Sequence, residues 1–191
     1  MNRTVGVLAL QGAYQKHVDC LSRLGVDTLL IRKASELDQC DGLIIPGGES
    51  TTMSLLIQES GMYEPLRDFA QVKPVMGVCA GMIMMSASVD DQRVKPLQIM
   101  PFRALRNHYG RQVHSFSADI TLDFDADGDT FHAHFIRAPG VETLANGIEV
   151  LATCNDESVM IGDGGHIALS FHPELTDDAR IHAYWLSNIN V

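Results

Sequence analysis

Basic side chains are scarce in this sequence. Against 24 Asp and Glu it sets only 14 Lys and Arg, a formal charge of −10, and no basic run is longer than Arg32-Lys33. A chain of that sign lacks the positive field that phosphate backbones require, which argues against a nucleic-acid partner. Long apolar runs are missing too: nothing approaches the roughly eighteen consecutive apolar residues of a membrane-crossing helix, so no membrane partner is expected. There is no CxxC pair. Cys20, Cys40, Cys79 and Cys154 stand far apart in a chain long enough to build its own core, the cysteine usage of a reducing compartment. The opening MNRTVGVLALQGA has no extended apolar stretch of signal-peptide type, and the expectation is a soluble, cytoplasmic protein.

What is present supports one globular core. With 46% hydrophobic and 20% charged residues, residues 1–191 are expected to form a single domain. Val5 to Leu10 is an apolar run of strand length, followed by Val18, Leu21 and Leu24 at helical spacing until Gly25 stops them. Thr28 to Ile31, Gly42 to Ile45 and Pro74 to Met76 are short, almost wholly apolar runs, the kind buried on both faces of a parallel sheet. Helical stretches are predicted at Thr51 to Glu59 and Met62 to Ala70. In the second half the period changes. From Val113 to Leu122 apolar and polar residues alternate, which predicts a strand with one wet face and a sheet that turns antiparallel. Val159 to Ile161 and His166 to Phe171 flank a hairpin turn at Gly162 to Gly165, and Asp177 to Ile189 reads as a last helix capped by Thr176 or Asp177. The class is α/β, a three-layer sandwich with a mixed, largely parallel central sheet flanked by helices, in the flavodoxin-like manner.

Met76-Gly77-Val78-Cys79-Ala80-Gly81 carries the most chemistry. An apolar strand ends in a G-x-C-x-G turn and a helical pattern follows, the spacing of a nucleophile elbow. Cys79 would then stand at a helix N-terminus, where partial positive charge favours thiolate over thiol. The bland alternative, a buried cysteine packed as a small hydrophobe, is the preferred reading for Cys20, Cys40 and Cys154. Such a nucleophile needs a base. Among eight histidines, His172 ends an apolar strand and is followed by Pro173 and Glu174. In an extended segment residues two apart point the same way, which would bring imidazole and carboxylate together as base and orienting acid. Ile45-Pro46-Gly47-Gly48-Glu49-Ser50 places two glycines between a strand and a helix. The spacing lacks the Lys of a phosphate-binding loop, so an oxyanion hole made by the Gly48 and Ala80 N–H groups is preferred to that, or to a plain turn capped by Ser50. Two further patterns are weaker. Asp123 to Gly128 opens like a calcium loop but offers His134 where the bidentate Glu belongs, and reads as an acidic surface turn. His132 and His134 share one side of a strand without an evident third ligand, and read as a wet face.

Together these segments resemble the class I, or triad, glutamine amidotransferases, and among them the glutaminase subunits of pyridoxal phosphate synthase. The similarity spans nearly the whole chain: LALQGA at Leu8 to Ala13, GLIIPGGESTTM at Gly42 to Met53, GVCAGM at Gly77 to Met82, RNHYGRQVHSF at Arg106 to Phe116, FIRAP at Phe135 to Pro139 and SFHPELT at Ser170 to Thr176. The resemblance implies Cys79 as nucleophile, His172 as general base and Glu174 as its orienter. It places Gly48, Glu49 and Ser50 against glutamine, with Arg106, Ile136 and Arg137 completing the pocket and Gln11 helping to set the oxyanion loop. It also implies a glutamyl thioester, no metal or bound cofactor, and a (β/α)₈ synthase partner that receives ammonia, builds pyridoxal phosphate (vitamin B6) from a pentose phosphate and a triose phosphate, and helps assemble the oxyanion hole. The sequence departs from the family at Val78, where Thr is frequent, and at Gln98, where Gly is frequent. The rival readings are an amidotransferase serving another pathway such as histidine biosynthesis, a non-catalytic binding module, and a cysteine-elbow protein of chaperone or protease type.

Overall fold

The computed structural model describes residues 3–106, 108, 115–125, 128, 130–144 and 146–189. Strands β1 (Thr4–Leu8), β2 (Asp27–Ile31), β3 (Gly42–Ile45) and β4 (Val75–Val78) alternate with helices α1 (Tyr14–Arg23), α2 (Ser50–Glu59) and α3 (Tyr63–Ala70). Helix α4 (Ala80–Met85) follows, then β5 (Ser86–Val89), β6 (Met100–Leu105), β7 (Ser115–Thr121), β8 (Thr130–Ile136), β9 (Gly140–Leu144), β10 (Glu149–Cys154), β11 (Glu157–Gly162) and β12 (Ile167–Leu169). A 3-10 turn at Pro173–Leu175 leads to α5 (Arg180–Ser187).

Seven strands form the central sheet in the order β10-β11-β12-β4-β3-β1-β2. β12, β4, β3, β1 and β2 are mutually parallel, whereas β11 runs antiparallel to both of its neighbours. The apolar runs form strands here because both faces are covered. Leu43 and Ile45 of β3 pack into a cluster with Met53 and Ile57 of α2, Leu66 and Phe69 of α3 and the methionines of α4. Ile44 joins Met76 and Val78 of β4 in a second cluster with Leu21 of α1 and Ile181 and Trp185 of α5. Each such large apolar side chain, fully removed from water, contributes about 1.5–3 kcal/mol, so helices are held on both faces and three layers result.

From β1 the chain moves to β2 on one side, then crosses back to β3 and β4 on the other. The crevice that ligands use in such sheets lies at the carboxyl ends of the strands, beside this reversal. Gln11, the Pro46 to Ser50 loop, Cys79 and His172 all follow the carboxyl ends of β1, β3, β4 and β12.

The second half differs from expectation in three respects. The alternating segment forms β7 from Ser115, Val113 lying outside the described residues, and pairs with β8 in a separate two-stranded ribbon rather than in the central sheet. A bridge between Leu122 and Ala152 of β10 ties it down. Alternation reports one wet face but not which sheet the strand joins; the antiparallel edge is instead β10 and β11, with the hairpin at Gly162 to Gly165 as predicted. A small sheet β5-β6-β9 was not anticipated, although Met100, Phe102 and Ala104 alternate inward along β6. Helix α5 begins at Arg180, and neither Thr176 nor Asp177 caps it; the Asp178 carboxylate accepts the Arg180 N–H at 3.0 Å and grips its guanidinium. Arg180 also reaches Asp125, so that part of the acidic turn is an ion-pair partner, while Ala126 and Asp127 lie outside the described residues. Among the described residues no helix is long and apolar enough to cross a membrane.

Candidate active site

Cys79 is the hinge between β4 and α4. Its φ of 50° and ψ of −104° lie where a side chain is strained, and the neighbours hold it there: its N–H donates to Leu169 O at 2.8 Å and its carbonyl accepts the Ile83 N–H at 3.1 Å. The flanking glycines are needed for close approach. A Cβ on Gly77 would lie 2.3 Å from the Met85 sulfur, and one on Gly81 would lie 2.0 Å from the Ile45 carbonyl oxygen. The G-x-C-x-G spacing therefore records helix α4 pressed onto β3 and β4, with the cysteine on the outside of the bend.

His172 follows β12, and its N–H donates to His134 O on β8 at 2.9 Å. Its Nδ1 lies 2.7 Å from Glu174 Oε1. The expected pairing is present, but its geometry is not that of an extended strand. Pro173 starts a 3-10 turn, and the turn rather than strand alternation brings the carboxylate round to the imidazole. Cys79, His172 and Glu174 are 6%, 7% and 4% exposed, so charge on any of them is poorly screened. Burial alone would lower the His172 imidazole; hydrogen bonds with Cys79 and Glu174, and the charges of both, outweigh it and raise His172 to about 10. Burial likewise pushes Glu174 upward, but the His172 hydrogen bond and the attraction of His17 and His172 leave it below the usual carboxylate range.

A cavity of about 200 Å³ opens over Cys79. Gly48, Glu49, Ser50, Ala80, Arg106, Ile136, Arg137 and His172 line it with Cys79, which brings together the residues predicted for catalysis, oxyanion binding and substrate binding; Glu174 stands behind His172. Gly47, the other glycine of the Pro46 to Ser50 loop, also lines it, as do Ala13 and Ile83, to which no role was assigned from sequence. Gly47 is there because a Cβ would lie 2.5 Å from His172 Cε1. The Cys79 sulfur sits 3.7 Å from Ile136 O, and Arg137, next in the chain, has a φ of 44°. Gln11 brackets the loop: its amide donates to Glu49 O at 3.4 Å and accepts the Glu49 N–H at 3.3 Å.

Glu49, not Ser50, caps α2. Its carboxylate accepts the N–H groups of Thr51 at 3.2 Å and Thr52 at 2.7 Å. Burial works against the charge, but these bonds and that of the Thr52 hydroxyl hold Glu49 down at about 2. The Arg106 guanidinium pairs with Glu49 and with Asp91, while its N–H donates to Asp90 Oδ1 at 2.7 Å. Asp90 and Asp91 carried no signal in sequence, since acidic residues in a loop read as solvated. Of the expected Arg106 to Phe116 motif, Asn107 and residues 109–114 lie outside the described residues. Val78 is buried in β4, and Gln98 has a φ of 58°, the left-handed conformation that glycine adopts without strain. On the ribbon, His132 Nδ1 meets Asp119 at 2.7 Å and His134 Nδ1 meets Ser117 Oγ at 2.8 Å, so each ring has a cross-strand partner.

A cysteine on a strand-to-helix elbow, beside an imidazole that a buried carboxylate orients, is the arrangement of a thiol-dependent acyl-transfer enzyme. A model of the SNO glutamine amidotransferase family matches residues 7–191, and the chain belongs to that family. It is 44% identical to the pyridoxal 5'-phosphate synthase subunit PdxT of Halalkalibacterium halodurans, over 97% of this chain and 94% of that one. The subunit of the same name from Moorella thermoacetica is also 44% identical, over 97% and 98% of the two chains. A solved structure described as a glutamine amidotransferase superposes with a TM-score of 0.92 at 39% identity, covering 98% of this chain and 99% of its own.

Proposed function

We propose that this chain, residues 1–191 acting as one domain, hydrolyses L-glutamine to L-glutamate and ammonia through Cys79, His172 and Glu174, and that it supplies the ammonia to the synthase subunit of a pyridoxal phosphate synthase. The observation that carries the reading is the 2.7 Å His172–Glu174 bond set beside a strained Cys79 at the floor of the cavity. Cys79 attacks the side-chain amide carbon of glutamine as a thiolate, and the carbonyl oxygen becomes an oxyanion accepting hydrogen bonds from the Gly48 and Ala80 N–H groups. His172, with its imidazole raised to about 10, holds a proton at neutral pH and delivers it to the departing nitrogen. Collapse releases ammonia and leaves a glutamyl thioester. Water, deprotonated by His172, then attacks the thioester carbonyl, expels the sulfur and releases glutamate. Glu174 orients the imidazole throughout.

The glutamine backbone carries one cation and one anion, and the pocket offers both complements, the Glu49 carboxylate and the Arg106 and Arg137 guanidinium groups. In the structure Arg106 is engaged by Glu49 and Asp91, so substrate must share or displace those contacts. The Gln11 bracket on Glu49 lies one residue from Gly48, which fits an oxyanion loop whose final setting is completed by the (β/α)₈ synthase subunit, a conformational step that gates catalysis. The reaction needs no metal or bound cofactor, and a soluble, cytoplasmic location fits that chemistry. The test is glutamate release with and without the synthase subunit. Cys79→Ala is expected to abolish release, by at least about 10³-fold, while keeping fold and partner binding. Substantial residual turnover would remove Cys79 as nucleophile, and co-purification with a different synthase would overturn the partner.

A further inference from the structure

Behind Glu174, on the side away from His172, lie two histidines that the proposed reaction does not use. His17 on α1 and His182 on α5 are both fully buried, and His17 Nδ1 lies 3.0 Å from His182 Nε2 across 165 residues of sequence. Nε2 of His17 faces Glu174 Oε2 at 3.7 Å. Oε1 of Glu174 is bound to His172, whereas Oε2, His17 Nε2 and His182 Nδ1 have no hydrogen-bond partner among the described residues. We infer that His17, its tautomer set by His182, is a positioning residue that holds the Glu174 carboxylate by directing an Nε2–H at Oε2.

Burial lowers both imidazoles, His17 by desolvation against the pull of Glu174, and His182 to about 3. Two neutral rings meeting at 3.0 Å share one N–H across the contact. If His17 donates there, its Nε2 lone pair confronts the Glu174 oxygen, two acceptors 3.7 Å apart in a fully buried site. If His182 donates, His17 carries its proton on Nε2 and presents a positive edge to the carboxylate. Only the second arrangement is attractive, and at 3.7 Å it acts through charge rather than a closed hydrogen bond. The polar chain then runs His182, His17, Glu174, His172, Cys79. Besides His172 and His17, Cys20 of α1 interacts with Glu174 and Arg23 of α1 with His182, while Asp178, ahead of α5, acts on Cys20.

This inference rests on the Cys79, His172 and Glu174 assignment, and the experiment separates the two. In the full-length protein assayed with its synthase subunit, His17→Leu is expected to lower kcat by about 10–100-fold, the usual cost of losing a group that orients a reacting side chain. KM should change less than about threefold. The acid limb of the kcat profile should move to higher pH, because Glu174 loses a group that favours its charged form. His17→Gln keeps an N–H near the Nε2 position and should recover most of the rate. In the wild type, nitrogen-15 spectra of the histidine rings should show His17 as the Nε2–H tautomer, a readout that requires neither activity nor a variant that folds. A folded His17→Leu with wild-type kcat and acid limb overturns the inference, as does an Nδ1–H tautomer at His17. A wild type that releases no glutamate, with His17 in the Nε2–H form, would instead strike the triad assignment.

Discussion

Adding one methyl group at Gly81 tests whether the elbow is set by close packing. A Cβ there would stand 2.0 Å from the Ile45 carbonyl oxygen and 2.8 Å from its carbon, both backbone atoms of β3 that no rotamer can move aside. Ile45 pairs with Gly77 of β4 in the sheet and leads directly into Pro46, Gly47 and Gly48. Relief must therefore come from shifting the Pro46–Gly48 loop or tilting α4. Overpacking a core costs about 1–3 kcal/mol, and a backbone obstacle puts Gly81→Ala at about 3 kcal/mol. For a chain of this size that lowers Tm by roughly 6–12 °C. A displacement near 1 Å beside Cys79, the proposed nucleophile, is expected to cost about 10²-fold in glutamate release. Gly165→Ala is the matched control, since its Cβ would meet nothing nearer than Asp163 Oδ1 at 3.9 Å; its Tm should stay within about 1 °C of wild type. Calorimetry and glutamate release on both variants decide the matter. If Gly81→Ala matches Gly165→Ala in both, helix α4 is not pressed against β3 as described.

Two other substitutions probe the loop and the strained backbone. Glu49→Gln keeps the shape of the α2 cap but removes its charge from Arg106, Thr51 and Thr52; a loss of about 0.5–1 kcal/mol is expected, with KM for glutamine raised about tenfold and kcat changed less. Because folding holds Glu49 at about 2 against an ordinary 4.5, its stabilisation is complete above 4.5 and vanishes as pH falls through 2. The Tm gap between wild type and variant should therefore persist at pH 4 and close near pH 2. Gln98→Gly should stabilise: a side chain at φ 58° costs about 1–2 kcal/mol, and glycine's extra freedom when unfolded returns about 0.5–1 of it, leaving a Tm gain of roughly 1–4 °C with unchanged glutamate release.

The parts of this molecule that sequence made legible are those whose constraint is local. Gly77 and Gly81 are required by atoms only a few residues away or on the adjoining strand, and the all-apolar runs of β3 and β4 can be satisfied only in a sheet covered on both faces. The His172–Glu174 pair was legible by its spacing, yet a 3-10 turn builds it, because Pro173 fits the first position of such a turn as well as it fits a strand. The ribbon β7-β8 was assigned to the wrong sheet because alternation is the same whatever the strand pairs with. His17 marks the limit. It lies four residues before Leu21 on the buried face of α1, so helical periodicity does place it inward. Its meaning, however, depends on His182, on the last helix, and on Glu174, and no window along the chain contains all three. A polar residue on an inward helical stripe is therefore a signal in itself: its partner has to be supplied by the fold, and in this chain the fold supplies the carboxylate proposed to orient the catalytic imidazole.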